Sequence, residues 1–167
     1  MPPASRYPSR TEGTLVEPNA AAVGYPKIPG VSYPAHINQA ALLDETVMPP
    51  VRVKAYPAFV PKTDADGRDV AGLHLPTLEA PVGTHMGWNL RKAGFGEGEL
   101  CDNTGSMLPF AKTKEERMAS GDPRPSLAER YPNPGDRAAA VERAAQKLVD
   151  DRLLLEEDAK AFVKSAD

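Results

Sequence analysis

Proline is the strongest constraint on this chain. Each proline fixes φ and removes a backbone donor, so a dense run of them denies the chain both long helices and interior strands. The sequence carries 18 prolines in 167 residues, well above the roughly 5% of average proteins. They concentrate before position 82, at Pro26, Pro29, Pro34, Pro49, Pro50, Pro57, Pro61, Pro76 and Pro81 among others. Residues that precede proline are pushed toward extended geometry. The first half is therefore expected to be extended and loop-rich, and the second half more helical. The chain is long enough for one ordinary domain. With 41% apolar and 6% aromatic residues, it has only a narrow margin for a core.

Three regions follow from this distribution. Residues 1–50 read as a Pro-rich extended arm, punctuated by Tyr25-Pro26-Lys27-Ile28-Pro29-Gly30 and Val31-Ser32-Tyr33-Pro34. Ile28, Val31, Tyr33, Ile37, Leu42 and Leu43 give the arm apolar anchors that a disordered tail seldom keeps, and a short helix is expected around His36 to Leu43. Residues 51–112 read as a hairpin followed by a Gly-rich loop. Val51, Val53, Phe59 and Val60 precede the turn Thr63-Asp64-Ala65-Asp66-Gly67, and Val70, Leu73 and Leu75 follow it. Asp-Gly between two apolar runs is a strong hairpin signal. Pro57 and Pro61 place the first run at an edge, and Gly72 points to a bulge. Residues 82–110, with Gly83, Gly87, Gly94, Gly96, Gly98 and Gly105, read as loop.

Residues 113–167 carry the helical signals. Thr113 with Glu116 and Ser126 with Glu129 have capping-box spacing, and Gly121 with Pro123 closes the first short helix. The pattern predicts a long amphipathic helix from about Asp136 to Leu154, with Val141, Ala144, Ala145, Leu148 and Val149 on one face. A last helix over about Glu156–Ser165 has three acids at its positive end. Its Ala159, Phe162 and Val163 close against the long helix as a helical hairpin. No internal repeat and no coiled-coil heptad is visible.

Charge and motifs exclude several functions. Net charge is −3 with mixed signs and no basic stripe, against nucleic-acid binding. The N-terminal residues lack an apolar run, so they make neither a signal peptide nor a membrane span, and the chain reads as soluble. Cys101 is the single cysteine and forms no internal disulfide.

Nucleophilic catalysis on an α/β fold places serine in a strained G-x-S-x-G turn, and no such pentapeptide occurs. Ser32 has Pro34 in place of the second glycine, and Ser106 has no helix directly behind it. Cys101 paired with His74 or His85 would be a thiolate alternative, but nothing in the sequence lowers its pKa, and it reads as a small hydrophobe.

His36, His74 and His85 lack metal-ligand spacing, and His74 is expected to be exposed on a strand. Asp64–Asp69 lacks the closing ligands of a calcium loop, and the glycines at 94, 96 and 98 do not open a helix as a phosphate cradle would. No cofactor is expected. Gly83-Thr84-His85-Met86-Gly87-Trp88-Asn89 is the candidate recognition loop. Its glycines permit close approach, and His85, Trp88 and Asn89 are candidate pocket-edge residues. The plainer reading of His85 is a structural histidine in a tight turn.

Taken in order, certain blocks resemble one family. They include Pro2-Pro3-Ala4-Ser5-Arg6-Tyr7-Pro8, Glu12-Gly13-Thr14-Leu15-Val16, Gly83-Thr84-His85-Met86-Gly87-Trp88-Asn89-Leu90, Leu108-Pro109-Phe110-Ala111-Lys112-Thr113 and Gly121-Asp122-Pro123-Arg124-Pro125-Ser126. The series is similar to the C-terminal region of the bacterial "alpha/beta hydrolase domain" proteins and covers nearly the whole chain. The Gly-Trp-Asn-Leu and Gly-Asp-Pro-Arg-Pro-Ser blocks are its most specific parts.

The resemblance implies an α/β-hydrolase-like parent, of which this is an α+β segment with a Pro-rich irregular arm, one β-hairpin and a C-terminal helical hairpin. It also implies that nucleophile elbow and triad histidine lie upstream of the Pro-Pro-x-Ser-Arg-Tyr-Pro block, before which Met1 stands directly. The expectation is then a truncated, esterase-like hydrolase, silent alone, that wraps a hydrolase core and shapes a pocket edge near His85 and Trp88. Its partners would be the remainder of that core, or a small-molecule ester in the parent. Without the core, ordering the arm costs about 1–2 kcal/mol per residue, so a marginally stable chain is expected. An autonomous binding module using the Gly83–Asn89 loop is the alternative, and a small enzyme using Cys101 or His85 is a third.

Overall fold

The computed structural model describes residues 7–34, 40–94, 96–101 and 103–166. Among them are six helices and four two-stranded antiparallel sheets, an α+β arrangement. None of the helices is long and apolar enough to cross a membrane.

The Pro-dense first half forms only short elements. Strand β1 (Leu15–Val16) pairs with β4 (Val60–Pro61) through Leu15–Pro61 and Val16–Val60. Helix α1 (Ala20–Val23) starts where the Asn19 side chain accepts from Ala22 N and ends at left-handed Gly24. Its last residue, Val23, and the following Ile28 are both buried, so this stretch contributes directly to the core.

The expected helix around His36–Leu43 is corrected over its described part. Residues 35–39 lie outside the described residues, and Leu42 and Leu43 lie in strand β2 (Ala41–Asp44). The Asp44 carboxylate accepts from Thr46 N and Oγ1, at 2.9 and 2.6 Å, and turns the chain back. β2 then pairs with the β-branched run of β3 (Val51–Ala55).

That pairing also corrects the hairpin expected across Asp64–Gly67. β3 pairs with β2 and β4 with β1, and residues 70–75 form no strand to extend either ladder. Only the bridge Thr63–Asp69 spans the turn. Gly72, at φ 118°, lies outside any strand and forms no bulge. Pro76 then opens the short helix α2 (Pro76–Glu79).

Residues 82–110, expected as loop, form two nested ladders instead. β5 (Gly83–Met86) pairs with β8 (Ser106–Pro109), and β6 (Asn89–Leu90) pairs inside them with β7 (Leu100–Cys101). A Cβ on Gly83 would sit 2.5 Å from the Leu108 carbonyl oxygen. The close approach that the sequence allows at this glycine is therefore made between two strands, not within a loop.

The helices follow local signals. Capping boxes open both α3 (Lys114–Ser120) and α4 (Leu127–Arg130), and Gly121 ends α3 in the left-handed region. Helix α5 (Asp136–Asp150) stops four residues earlier than its apolar pattern predicts, because the chain turns at Arg152 with φ 58°. Val141, Ala145 and Leu148 are buried, with Ala144 and Val149 half-buried on the same side. α5 packs against α2 and against α6 (Glu156–Lys164).

A buried polar clasp joins these pieces. Arg124 is 3% exposed, and its guanidinium donates to Asp122 through Nε at 3.0 Å and Nη2 at 2.6 Å. Nη1 reaches Thr84 Oγ1 at 2.8 Å and Leu108 O at 3.1 Å, and Nη2 reaches Pro109 O at 3.3 Å. Thr84, on β5, donates its hydroxyl hydrogen bond to the Asp66 carbonyl. Arg130 binds the Asp66 carboxylate and lies 4.0 Å from the centre of the Phe110 ring. Burial raises the Asp122 pKa, but the hydrogen bonds and charge of Arg124, with that of Arg117, outweigh it and hold the carboxyl below its usual value.

Two outcomes follow. Arg124→Met strands a buried carboxylate, a hydroxyl and two carbonyls, and should lower the unfolding free energy by about 3–5 kcal/mol in urea denaturation. A loss below about 1 kcal/mol would mean the clasp is not structural.

Glu129 is held at a pKa of about 2, from an ordinary 4.5, by Arg117 and by its bonds with Ser126. Because the folded value lies below the unfolded one, its contribution is present above 4.5 and lost as pH falls toward 2. The stability gap between the wild type and Glu129→Gln should close across that window. A gap independent of pH would contradict it.

Candidate functional site

The turn Asp64–Asp69 builds one wall of a cleft. The Asp64 carboxylate accepts from Asp66 N and Arg68 N, at 2.9 and 3.0 Å, which folds the segment into a tight loop. Gly67, at φ 81°, is buried at its tip, and a Cβ there would meet Tyr25 Cε2 at 3.1 Å and Thr84 Cγ2 at 3.2 Å. The missing side chain lets Tyr25 and β5 close on the turn. The result is a cleft of about 610 Å³, within the size range of small-molecule sites.

Three rings form its aromatic wall. Tyr25 lies 5.4 Å from Tyr33 and 5.7 Å from Trp88, and Tyr33 meets Trp88 edge-on at 6.1 Å. Burial pushes the Tyr25 phenol up to about 12, with Arg124 opposing and Tyr33 adding to the shift. Burial also raises Tyr33, helped by the charge of Asp69. Both phenols therefore stay protonated at neutral pH and present hydroxyls rather than charge.

The opposite wall is polar. Arg68 is held by Asp64 at 3.0 Å, by Glu79 at 3.3 Å and by the Leu78 carbonyl at 2.8 Å. His74 spans Glu79 Oε1 at 2.8 Å and the Asp69 carbonyl at 2.9 Å. Burial raises the Asp69 carboxyl pKa, the His74 charge lowers it, and Asp64 raises it further.

The predicted site residues divide around this cleft. His85 and Trp88 line it, His85 from β5 opposite Met107 and Trp88 from the segment before β6. His85 is thus exposed on a strand, not folded into a tight turn. Asn89 lies in β6, where its Oδ1 accepts from Leu90 N, and it does not line the cleft. His74 is a second correction. Its side chain is 16% exposed and doubly hydrogen-bonded, because residues 70–75 form no strand and the ring reaches Glu79 in the helix that Pro76 opens. His36 lies outside the described residues.

Among the described residues, Cys101 Sγ contacts Thr104 Oγ1 at 3.0 Å and Ser106 Oγ donates to Trp88 O at 2.9 Å. No serine, threonine or cysteine side chain among them hydrogen-bonds a histidine. Nor do three His, Cys, Asp or Glu side chains converge there as metal ligands.

Sequence reasoning missed Tyr25, Tyr33 and Asp69. A signal existed in the repeated Tyr-Pro dipeptides Tyr25-Pro26 and Tyr33-Pro34, since proline holds the preceding residue extended. Asp69 carried no such mark.

The model of a family described as "Alpha/beta hydrolase domain" matches residues 2–164. No curated protein and no solved structure matches the chain.

Tyr25 offers a direct check on the aromatic wall. In a spectrophotometric titration of the folded chain, its phenolate should appear near pH 12, and the late part of the tyrosine band should lose one residue's amplitude in Tyr25→Phe. Titration of that band at the ordinary 10.0 would mean the ring is open to water.

Proposed function

The chain belongs to the alpha/beta hydrolase domain family, and from that premise we propose that it is the non-catalytic C-terminal segment of an esterase-like hydrolase, contributing a wall of the substrate cleft. One observation carries this reading. The aromatic cleft holds Tyr25, Tyr33 and Trp88, while no hydroxyl or thiol among the described residues is hydrogen-bonded to a histidine. Ester hydrolysis needs a nucleophile within reach of its base and an oxyanion hole beside it. A cleft wall needs neither.

The β2–β3 ladder supports the same reading. Leu42, Leu43, Val51 and Val53 are each between 45% and 58% exposed, and Met48 is 89% exposed. An isolated two-stranded ladder with so much apolar surface is marginal in water. As the cover of a larger hydrolase body, it would bury that surface.

The alternative is an autonomous binding module using Gly83–Asn89, favoured by the presence of His85 and Trp88 on the cleft. The two readings differ in stability. A module predicts that the isolated chain unfolds as one unit and resists proteolysis throughout, and a cover segment predicts ready proteolysis of the residues before Pro50 while the clasped part stays folded.

The decisive assay is hydrolysis of a p-nitrophenyl ester by the purified chain. The expected result is turnover no faster than buffer. Robust turnover abolished by one substitution at Ser32, Ser106 or Cys101 would overturn the proposal.

A further inference from the structure

We propose that the cleft between the Tyr25–Tyr33–Trp88 wall and Asp69 recognises an organic ammonium group, the cation lying over an aromatic face with the Asp69 carboxylate as its counter-ion. This deepens the reading of the cleft as a substrate wall, and rests on it. Aromatic faces carry negative electrostatic potential and attract an alkylated ammonium within about 6 Å of a ring centre. Three mutually packed rings give a rigid platform for such a group.

The second observation is the charge arrangement opposite them. The Asp69 carboxylate makes no hydrogen bond or ion pair with another described side chain, although it lines the cleft. It is close enough to the Tyr33 phenol for its charge to act there.

The basic side chains next to Asp69 are already engaged. Arg68 is engaged by Asp64, Glu79 and the Leu78 carbonyl, and His74 lies between Glu79 and the Asp69 backbone. His85 stands exposed on the rim. The groups facing Asp69 are thus Asp64, His74 and Tyr33, and none of them donates to its carboxylate. An incoming ammonium supplies that missing charge. An anionic ligand would instead meet Asp69 with Arg68 already neutralised.

The chain has a single tryptophan, Trp88, in the platform itself, so its fluorescence reports occupancy directly. The test titrates the full chain, shown to be folded by far-UV circular dichroism, with choline and separately with the uncharged isostere 3,3-dimethylbutan-1-ol. It is run at about pH 8, where an ordinary histidine is neutral. Saturable quenching by choline is expected, with the isostere at least about tenfold weaker. Asp69→Asn should weaken choline by about tenfold and leave the isostere unchanged.

Tyr33→Leu should weaken choline as well, and the exposed Asp69→Asn variant keeps the test valid if the leucine variant fails to fold. Equal binding of the two probes, choline affinity unchanged in Asp69→Asn, or no response to choline by the folded chain would each overturn the inference. None of these outcomes touches the hydrolase-segment reading, which is judged by turnover. Turnover by the chain, conversely, would remove that reading and leave the binding result in place.

Discussion

Removing a guanidinium from water is expensive, and a protein interior accepts one only when its donors find partners. Arg124 meets that demand with two oxygens of Asp122, the Thr84 hydroxyl and the carbonyls of Leu108 and Pro109. These partners come from three separate stretches of chain. The Gly121–Ser126 segment supplies the acid, β5 the hydroxyl and β8 the carbonyls. A short two-stranded ladder has little stability alone. The β5–β8 pair is pinned from one side by an ion pair that has no other place to go.

The cleft depends on this clasp through Thr84. Its hydroxyl accepts from Arg124 and donates to the Asp66 carbonyl, so one side chain ties the buried pair to the turn that carries Gly67 and Asp69. Arg130 holds the same turn through the Asp66 carboxylate while lying on Phe110. Tyr25 closes over Gly67 near enough to Arg124 to feel its charge. Aromatic wall and polar wall therefore share one anchor. The Gly-Asp-Pro-Arg-Pro-Ser block has a structural meaning here: its Gly ends α3, its Asp and Arg are the clasp, and its Ser starts α4.

How much of this was legible follows from how far apart the interacting residues are. Capping boxes at Thr113 and Ser126 span three residues, and both form as the sequence predicts. The α5 face is similarly local, and only its end was misjudged, at Arg152. Strand pairing is not local. Asp64-Ala65-Asp66-Gly67 reads as a hairpin turn, yet the strand before it belongs to Leu15–Val16, more than forty residues upstream. The glycines of 82–110 read as loop, and the close approach they permit is realised at Gly83 between two strands. Of the cleft, His85 and Trp88 were visible because glycines flank them. Tyr25 and Tyr33 became visible only when the fold brought them to Trp88.

A cleft wall and a nucleophile have different physical requirements, and the proposed role asks only for the first. A nucleophile needs a strained turn and a base held to within fractions of an ångström. A recognition wall needs rigid apolar faces and one charge whose partner is left to the ligand. Here the rings brace one another, the phenols stay neutral, and Arg68 and His74 are tied to carboxyl and carbonyl oxygens. The Asp69 carboxylate lines the same cleft and makes no hydrogen bond or ion pair with a described side chain. An acid left open beside braced rings is the arrangement through which the proposed site would favour a cation over an anion.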